Sequence, residues 1–135
     1  MVIDTSALVA ILQDEPEQRA FNQAIEDADS RAMSAATFVE ASIVIEARYG
    51  AEGVRDFDQF LVKAEIEVVE VDLEQARAAR RAFSRFGRGR HAARLNYGNC
   101  FSYALAQVRG ERLLYKGGDF SLTDIGSVST APSGS

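Results

Sequence analysis

Three times in this chain a short apolar segment runs directly into a residue that starts helices. Val2-Ile3 leads into Asp4-Thr5-Ser6, residues 31–33 lead to Ser34, and the alternating segment 66–71 leads to Asp72. Side chains of Asp and Ser at such positions accept hydrogen bonds from the free amides of a helix's first turn. A strand that gives way at once to a helix does not pair with the next strand through a tight hairpin. The pattern therefore predicts an α/β fold, with a central, mainly parallel sheet and helical crossovers on both of its faces. Leu113-Leu114-Tyr115 supplies another buried strand and 125–128 is a candidate for a last one, giving four to five short strands.

The intervening segments have helical periodicity. Pro16 opens a helix through about residue 28, with Ala20, Phe21, Ala24, Ile25 and Ala28 on one face. A helix capped by Ser34 or Thr37 runs to Tyr49, where Gly50 stops it. Another spans 51–64, with Val54, Phe57, Phe60 and Leu61 in register. Residues 73–86 form a further helix, 87–94 a loop, and a helix beginning at Tyr97 or Gly98 ends near Val108, before Gly110. No repeat or linker divides the chain, so 1–130 reads as one domain followed by a polar tail, 131–135. A chain of 135 residues is long enough to bury about 68–70% of its unfolded surface.

Residue types exclude several chemistries. A single His and a single Cys, Cys100, build neither a multi-histidine zinc site nor an internal disulfide. No glycine-rich nucleotide-binding signature occurs. No apolar run approaches the roughly 18 residues of a membrane span, and no signal segment precedes the first strand. The expected location is cytoplasmic, with no membrane partner. A bound metal would have to take oxygen ligands, which points to Mg2+, with Mn2+ as the alternative.

Four polar positions stand out: Asp4, Glu40, Asn99 and Asp119. In parallel sheets, reactive groups collect beyond the carboxyl ends of the strands. Asp4 follows one strand and Asp119 lies just past another, while Glu40 and Asn99 would reach the same crevice from helices. Each has a plainer reading: Asp4 as an N-cap, Glu40 as a solvated helix position, Asp119 as the end of a turn after Gly117-Gly118. Ser6, at the opening of the first helix, could orient a phosphate. Arg77, Arg80, Arg81, Arg85, Arg88, Arg90 and Arg94 lie in one stretch without an acid, in a chain of net charge −5. Such a stretch is either a track for a nucleic-acid backbone or a solvated face that meets an acidic partner. His91 within it reads as a solvent or RNA contact rather than a catalytic base, and Tyr97, Phe101 and Tyr103 as core or dimer packing rather than base-stacking platforms.

Four segments together resemble the PIN-domain ribonucleases, and among them the VapC toxins of bacterial VapBC toxin–antitoxin pairs. They are Val2-Ile-Asp-Thr-Ser-Ala-Leu, Phe38-Val-Glu-Ala, Leu95-Asn-Tyr-Gly-Asn-Cys-Phe-Ser-Tyr-Ala-Leu-Ala and Leu114-Tyr-Lys-Gly-Gly-Asp-Phe. The resemblance implies a PIN-like α/β/α sandwich whose acidic residues bind Mg2+ and hydrolyse RNA phosphodiester bonds. The implied ligand set is Asp4 and residue 99 directly, with Glu40 and Asp119 through water and one of them taking the proton of the attacking water. Asp124 would be an outer acid, and Ser6, Arg80, Arg85, Arg88 and Arg90 would contact RNA. The implied partners are a VapB-type antitoxin, the RNA substrate and a second copy of the chain.

Asn99 departs from that resemblance, which leads one to expect aspartate between Tyr-Gly and Cys-Phe. Asparagine keeps the shape and one oxygen but loses a charge. Two unit charges ~4 Å apart at an effective dielectric near 20 interact by roughly 4 kcal/mol, and about 1.4–4 kcal/mol would weaken metal binding by one to three powers of ten. The chain is therefore expected to fold normally and to cleave RNA poorly. Two rival functions differ in class. A phosphatase of the haloacid-dehalogenase type needs a second acid two residues after the first, where Ser6 stands. A non-catalytic RNA- or protein-binding domain would need no fourth carboxylate at all.

Overall fold

The computed structural model describes residues 1–130; the polar tail expected at 131–135 lies outside them. The described chain runs β1 (Val2–Ile3), α1 (Thr5–Leu12), α2 (Gln18–Asp27), β2 (Ala32–Ser34), α3 (Ala35–Lys63), β3 (Glu67–Val69), α4 (Leu73–Phe86), α5 (Tyr97–Arg109) and β4 (Leu113–Leu114). The four strands form one sheet in the order β3-β2-β1-β4, and every pair is parallel. Val2 aligns with Ala32 on one side and with Leu113 on the other.

Successive residues of a strand face opposite ways, and that alternation divides the core in two. Val2, Ala32 and Leu113 pack under α4 and α5, with Ala78, Ala82, Phe86 and Tyr103. Their neighbours Ile3, Met33 and Leu114 pack under α1, α2 and α3, with Leu8, Phe21, Ile45 and Phe57. The result is the α/β/α sandwich expected from the sequence. Strands β1 and β4, covered on both faces, are unbroken apolar pairs, whereas β3 at one edge of the sheet is largely exposed and belongs to an alternating segment.

Two details differ from the expectation. The helices predicted on either side of Gly50 form one run, α3, bent at that residue, whose φ of 68° and ψ of −160° are not helical. Residues 125–128 form no strand. Ser127 makes a single parallel bridge to Leu113, beside the two-residue β4. Pairing cannot extend further along so short a neighbour. Among the described residues, no helix is long and apolar enough to cross a membrane.

From β1 the chain winds to β2 and β3 on one side, then returns to place β4 on the other. The sheet's switch point therefore lies between β1 and β4, and the carboxyl ends of those strands carry the residues of interest.

Candidate active site

Asp4 is the first residue after β1 and the N-cap of α1, and only 2% of it is exposed. Both its carboxylate oxygens are used. Oδ2 accepts from the Ser6 amide at 3.1 Å and the Ser6 hydroxyl at 2.7 Å, and Oδ1 accepts from the Ser102 hydroxyl at 2.6 Å. Since Ser102 gives its one proton to Asp4, the 3.1 Å contact between Thr37 Oγ1 and Ser102 Oγ has Thr37 as donor. Ser6 is engaged on both sides, because its oxygen also accepts the Lys116 amide at 3.0 Å. No cationic side chain pairs with Asp4 among the described residues. Burial pushes its pKa above the ordinary value, and the Ser102 and Ser6 hydrogen bonds offset only part of that rise. The N-cap reading of Asp4 is correct as far as it goes, but a cap does not require a buried, uncompensated charge.

Glu40 reaches the same region from α3. Thr5 donates its hydroxyl proton to Oε1 at 2.5 Å. The other oxygen lies against the start of α5, where a Cβ built on Gly98 would fall 1.9 Å from Oε2. Asn99, the next residue, is buried and closes a reciprocal capping box. Its Oδ1 accepts the Asn96 amide at 3.0 Å, and Asn96 Oδ1 accepts the Asn99 amide at 2.8 Å. An aspartate at 99 would replace the amide nitrogen with a second carboxylate oxygen and add a negative charge to this end of α5. Asp4, Glu40 and Asn99 are thus brought to one place by contacts through Thr5, Ser102 and Gly98.

Asp119 is not drawn in. It is exposed in the turn after β4, and its carboxylate makes no hydrogen bond or ion pair among the described residues. Its loop is nevertheless fixed on both sides. Lys116 pairs with Glu15 at 3.1 Å and Glu17 at 3.0 Å, and Phe120 is buried against Tyr115. Asp124 faces elsewhere, accepting from the Tyr103 hydroxyl and pairing with Arg85 at 3.1 Å, which holds it below the usual carboxylate range. Among the described residues, no three His, Cys, Asp or Glu side chains come together as a metal site. The donors that do meet, two carboxylates and an amide oxygen, are hard oxygen ligands and fit Mg2+ or Mn2+ in kind. They fall one acid short of a triad at the position that Asn99 occupies.

All seven arginines of the basic stretch are exposed, and among the described residues only Arg85 is in an ion pair. His91 serves its own loop, its Nδ1 accepting the Ala93 amide at 3.0 Å. Thr5, Thr37, Gly98 and Ser102 had no site role in the sequence, Thr37 and Gly98 appearing there only as candidate helix starts. Gly98 did carry a signal, since a glycine in the first turn of a helix weakens it without an evident local reason.

The PIN domain sequence profile matches residues 1–126. A protein named Ribonuclease VapC from Mycolicibacterium smegmatis is 55% identical over 128 residues, covering 95% of this chain and 99% of its own. Ribonuclease VapC30 of Mycobacterium tuberculosis is 52% identical, covering 95% of this chain and 98% of its own. Among solved structures, Mycobacterium tuberculosis VapC20, described as a sarcin-ricin loop cleaving toxin, superposes with a TM-score of 0.76 at 17% identity, over 94% of this chain and 97% of its own. A toxin–antitoxin complex from Klebsiella pneumoniae gives a TM-score of 0.69 at 17% identity, with 96% of each chain covered.

Proposed function

This chain belongs to the PIN domain family and, within it, to the VapC ribonuclease toxins, and from that premise we propose that the crevice around Asp4 is a weakened Mg2+-dependent endoribonuclease site. The observation that supports this most is Asp4 itself. A carboxylate buried without a cationic neighbour carries a desolvation cost that its three hydroxyl and amide donors reduce but do not cancel. A divalent cation held by Asp4 and residue 99, with Mn2+ as the alternative, would supply that missing charge. When bound, such an ion withdraws charge from a phosphate oxygen and lowers the pKa of water.

The chain's own residues do the rest. Glu40, with Oε1 fixed by Thr5, has Oε2 available to take a proton from an attacking water. Ser6 and Ser102 hold the Asp4 carboxylate in one orientation, and Ser6 also ties it to the loop that carries Asp119. We assign Asp119 to a role completed on substrate binding, from the rim of the crevice. Arg80, Arg85, Arg88 and Arg90 would guide the RNA backbone toward it. The active unit is a single domain over 1–130, which works in the cytoplasm as a homodimer and is held in check by a VapB-type antitoxin. Membership of the toxin family supports that partner.

Asn99 favours a second reading, a domain that binds RNA or protein and no longer cleaves. Magnesium-dependent cleavage of total RNA by this chain and by Asn99→Asp, run in parallel, separates the two. Gain of EDTA-sensitive cleavage in the aspartate form is the expected result. No cleavage by either folded protein would favour the binding module.

A further inference from the structure

We propose that the groove between α4 and α5 is a base-stacking subsite, seating an unpaired nucleotide of single-stranded RNA beside the candidate active site. The proposal rests on the reading of this chain as a ribonuclease and specifies how the substrate is gripped. The groove has a volume of about 390 Å3. Ala79 and Cys100 are buried at its base, Phe83, Tyr97 and Phe101 supply rings, and Arg80 is the one charged residue lining it.

Tyr97 is 78% exposed, with its ring edge-on to Phe101 at 4.9 Å between centroids. The core does not use that ring. Tyr97 is also the first residue of α5, immediately before Gly98, against which Glu40 lies. A base on Tyr97 would therefore leave its own phosphate or the adjacent one close to the acidic crevice.

Charge identifies the occupant. Arg77, Arg80, Arg81, Arg88 and Arg90 are exposed and make no ion pair among the described residues, and no acidic residue lies between Glu74 and Glu111. Arg90 already lies over the Phe83 ring, 5.8 Å from its centroid. Aromatic faces with Arg80 in the lining and Arg90 over the Phe83 ring match a molecule that alternates phosphates with flat bases. A second copy of the chain fits less well, because a two-fold interface would set Arg80 and Arg90 near their own copies with no acid between them.

The test is anisotropy with a fluorescein-labelled single-stranded oligoribonucleotide of about 12 nucleotides, in EDTA, with Tyr97→Phe, Tyr97→Leu and Tyr97→Ala. Tyr97→Phe should bind as the parent does. The Leu and Ala forms should bind roughly 5- to 140-fold more weakly, and an abasic strand of equal length should be weak for the parent too. Circular dichroism confirms that each variant is folded. Parental affinity in the Ala form, or undiminished binding of the abasic strand, would overturn the subsite while leaving the ribonuclease reading intact. Parental affinity in the Leu form would also overturn it, since apolar area alone would then suffice. A dimer by sedimentation that Tyr97→Ala dissociates, with RNA binding unchanged, would reassign the face to a second copy. If no RNA binds and Asn99→Asp does not cleave, the subsite and the ribonuclease reading fail together.

Discussion

At position 98 the carboxylate of Glu40 occupies the space that a Cβ would need, 1.9 Å from Oε2. Gly98→Ala must displace Glu40 or open the first turn of α5. The obstructing atoms are the far end of a flexible side chain that can swing aside, so the cost should be about 1 kcal/mol or less. Urea denaturation measures that loss, and Glu40→Ala in the Gly98→Ala background should restore most of it, a coupling that a clash elsewhere would not give. Asp4 is a residue of the opposite kind, stabilised by donors yet costly to bury. Its folded pKa lies above the ordinary 3.8, so the native state holds this proton more tightly than the unfolded chain. That contribution to stability is complete below the unfolded value and is lost as pH rises through the folded one. In metal-free buffer, the stability of Asp4→Asn relative to the parent should therefore rise as pH increases above about 4. A difference that does not change with pH would contradict the assignment. In the Asn99→Asp background the same substitution should abolish cleavage, so that stability and activity move in opposite directions.

At the scale of elements, the helix starts were the clearest part of the sequence. Asp4, Ser34 and Asp72 each cap the helix predicted for them, because a cap is a local contact between a side chain and an amide two or three residues on. Gly50 was legible as a stop, and the structure shows why only glycine serves there. Its φ of 68° lies in the left-handed half of the map, and nothing stands within 4 Å of a built Cβ. Gly50→Ala should thus meet a penalty from the backbone alone, of about 1 kcal/mol, read as a lower urea midpoint with an unchanged slope. An unaltered midpoint would mean that the bend in α3 does not depend on this conformation. The strand expected at 125–128 failed for a non-local reason: an apolar segment needs a neighbour long enough to pair with, and β4 offers two residues. The inner shell of the site was hidden in the same way. Thr5 meets Glu40 across 35 positions and Ser102 meets Asp4 across 98, separations that leave no local pattern.

Taken whole, the molecule keeps its charges on different surfaces. A chain of net charge −5 gathers seven of its fifteen Lys and Arg on α4 and the loop that follows. Buried Asp4 and half-buried Glu40 instead meet near the switch point of the sheet, between β1 and β4. That division was visible as an acid-free stretch of sequence, whereas the groove between α4 and α5 needed the packing of the two helices to appear. The crevice at the switch point is proposed to hold a divalent cation, more weakly with asparagine at 99 than with aspartate. The measurement that meets this proposal most directly is a Mn2+ titration followed by electron paramagnetic resonance, on this chain and on Asn99→Asp in the same buffer. Affinity should be roughly 10- to 1,000-fold higher in the aspartate form, and that gain should be lost when Asp4→Asn is added. Equal affinities in the two proteins, or a gain that survives Asp4→Asn, would contradict the proposal.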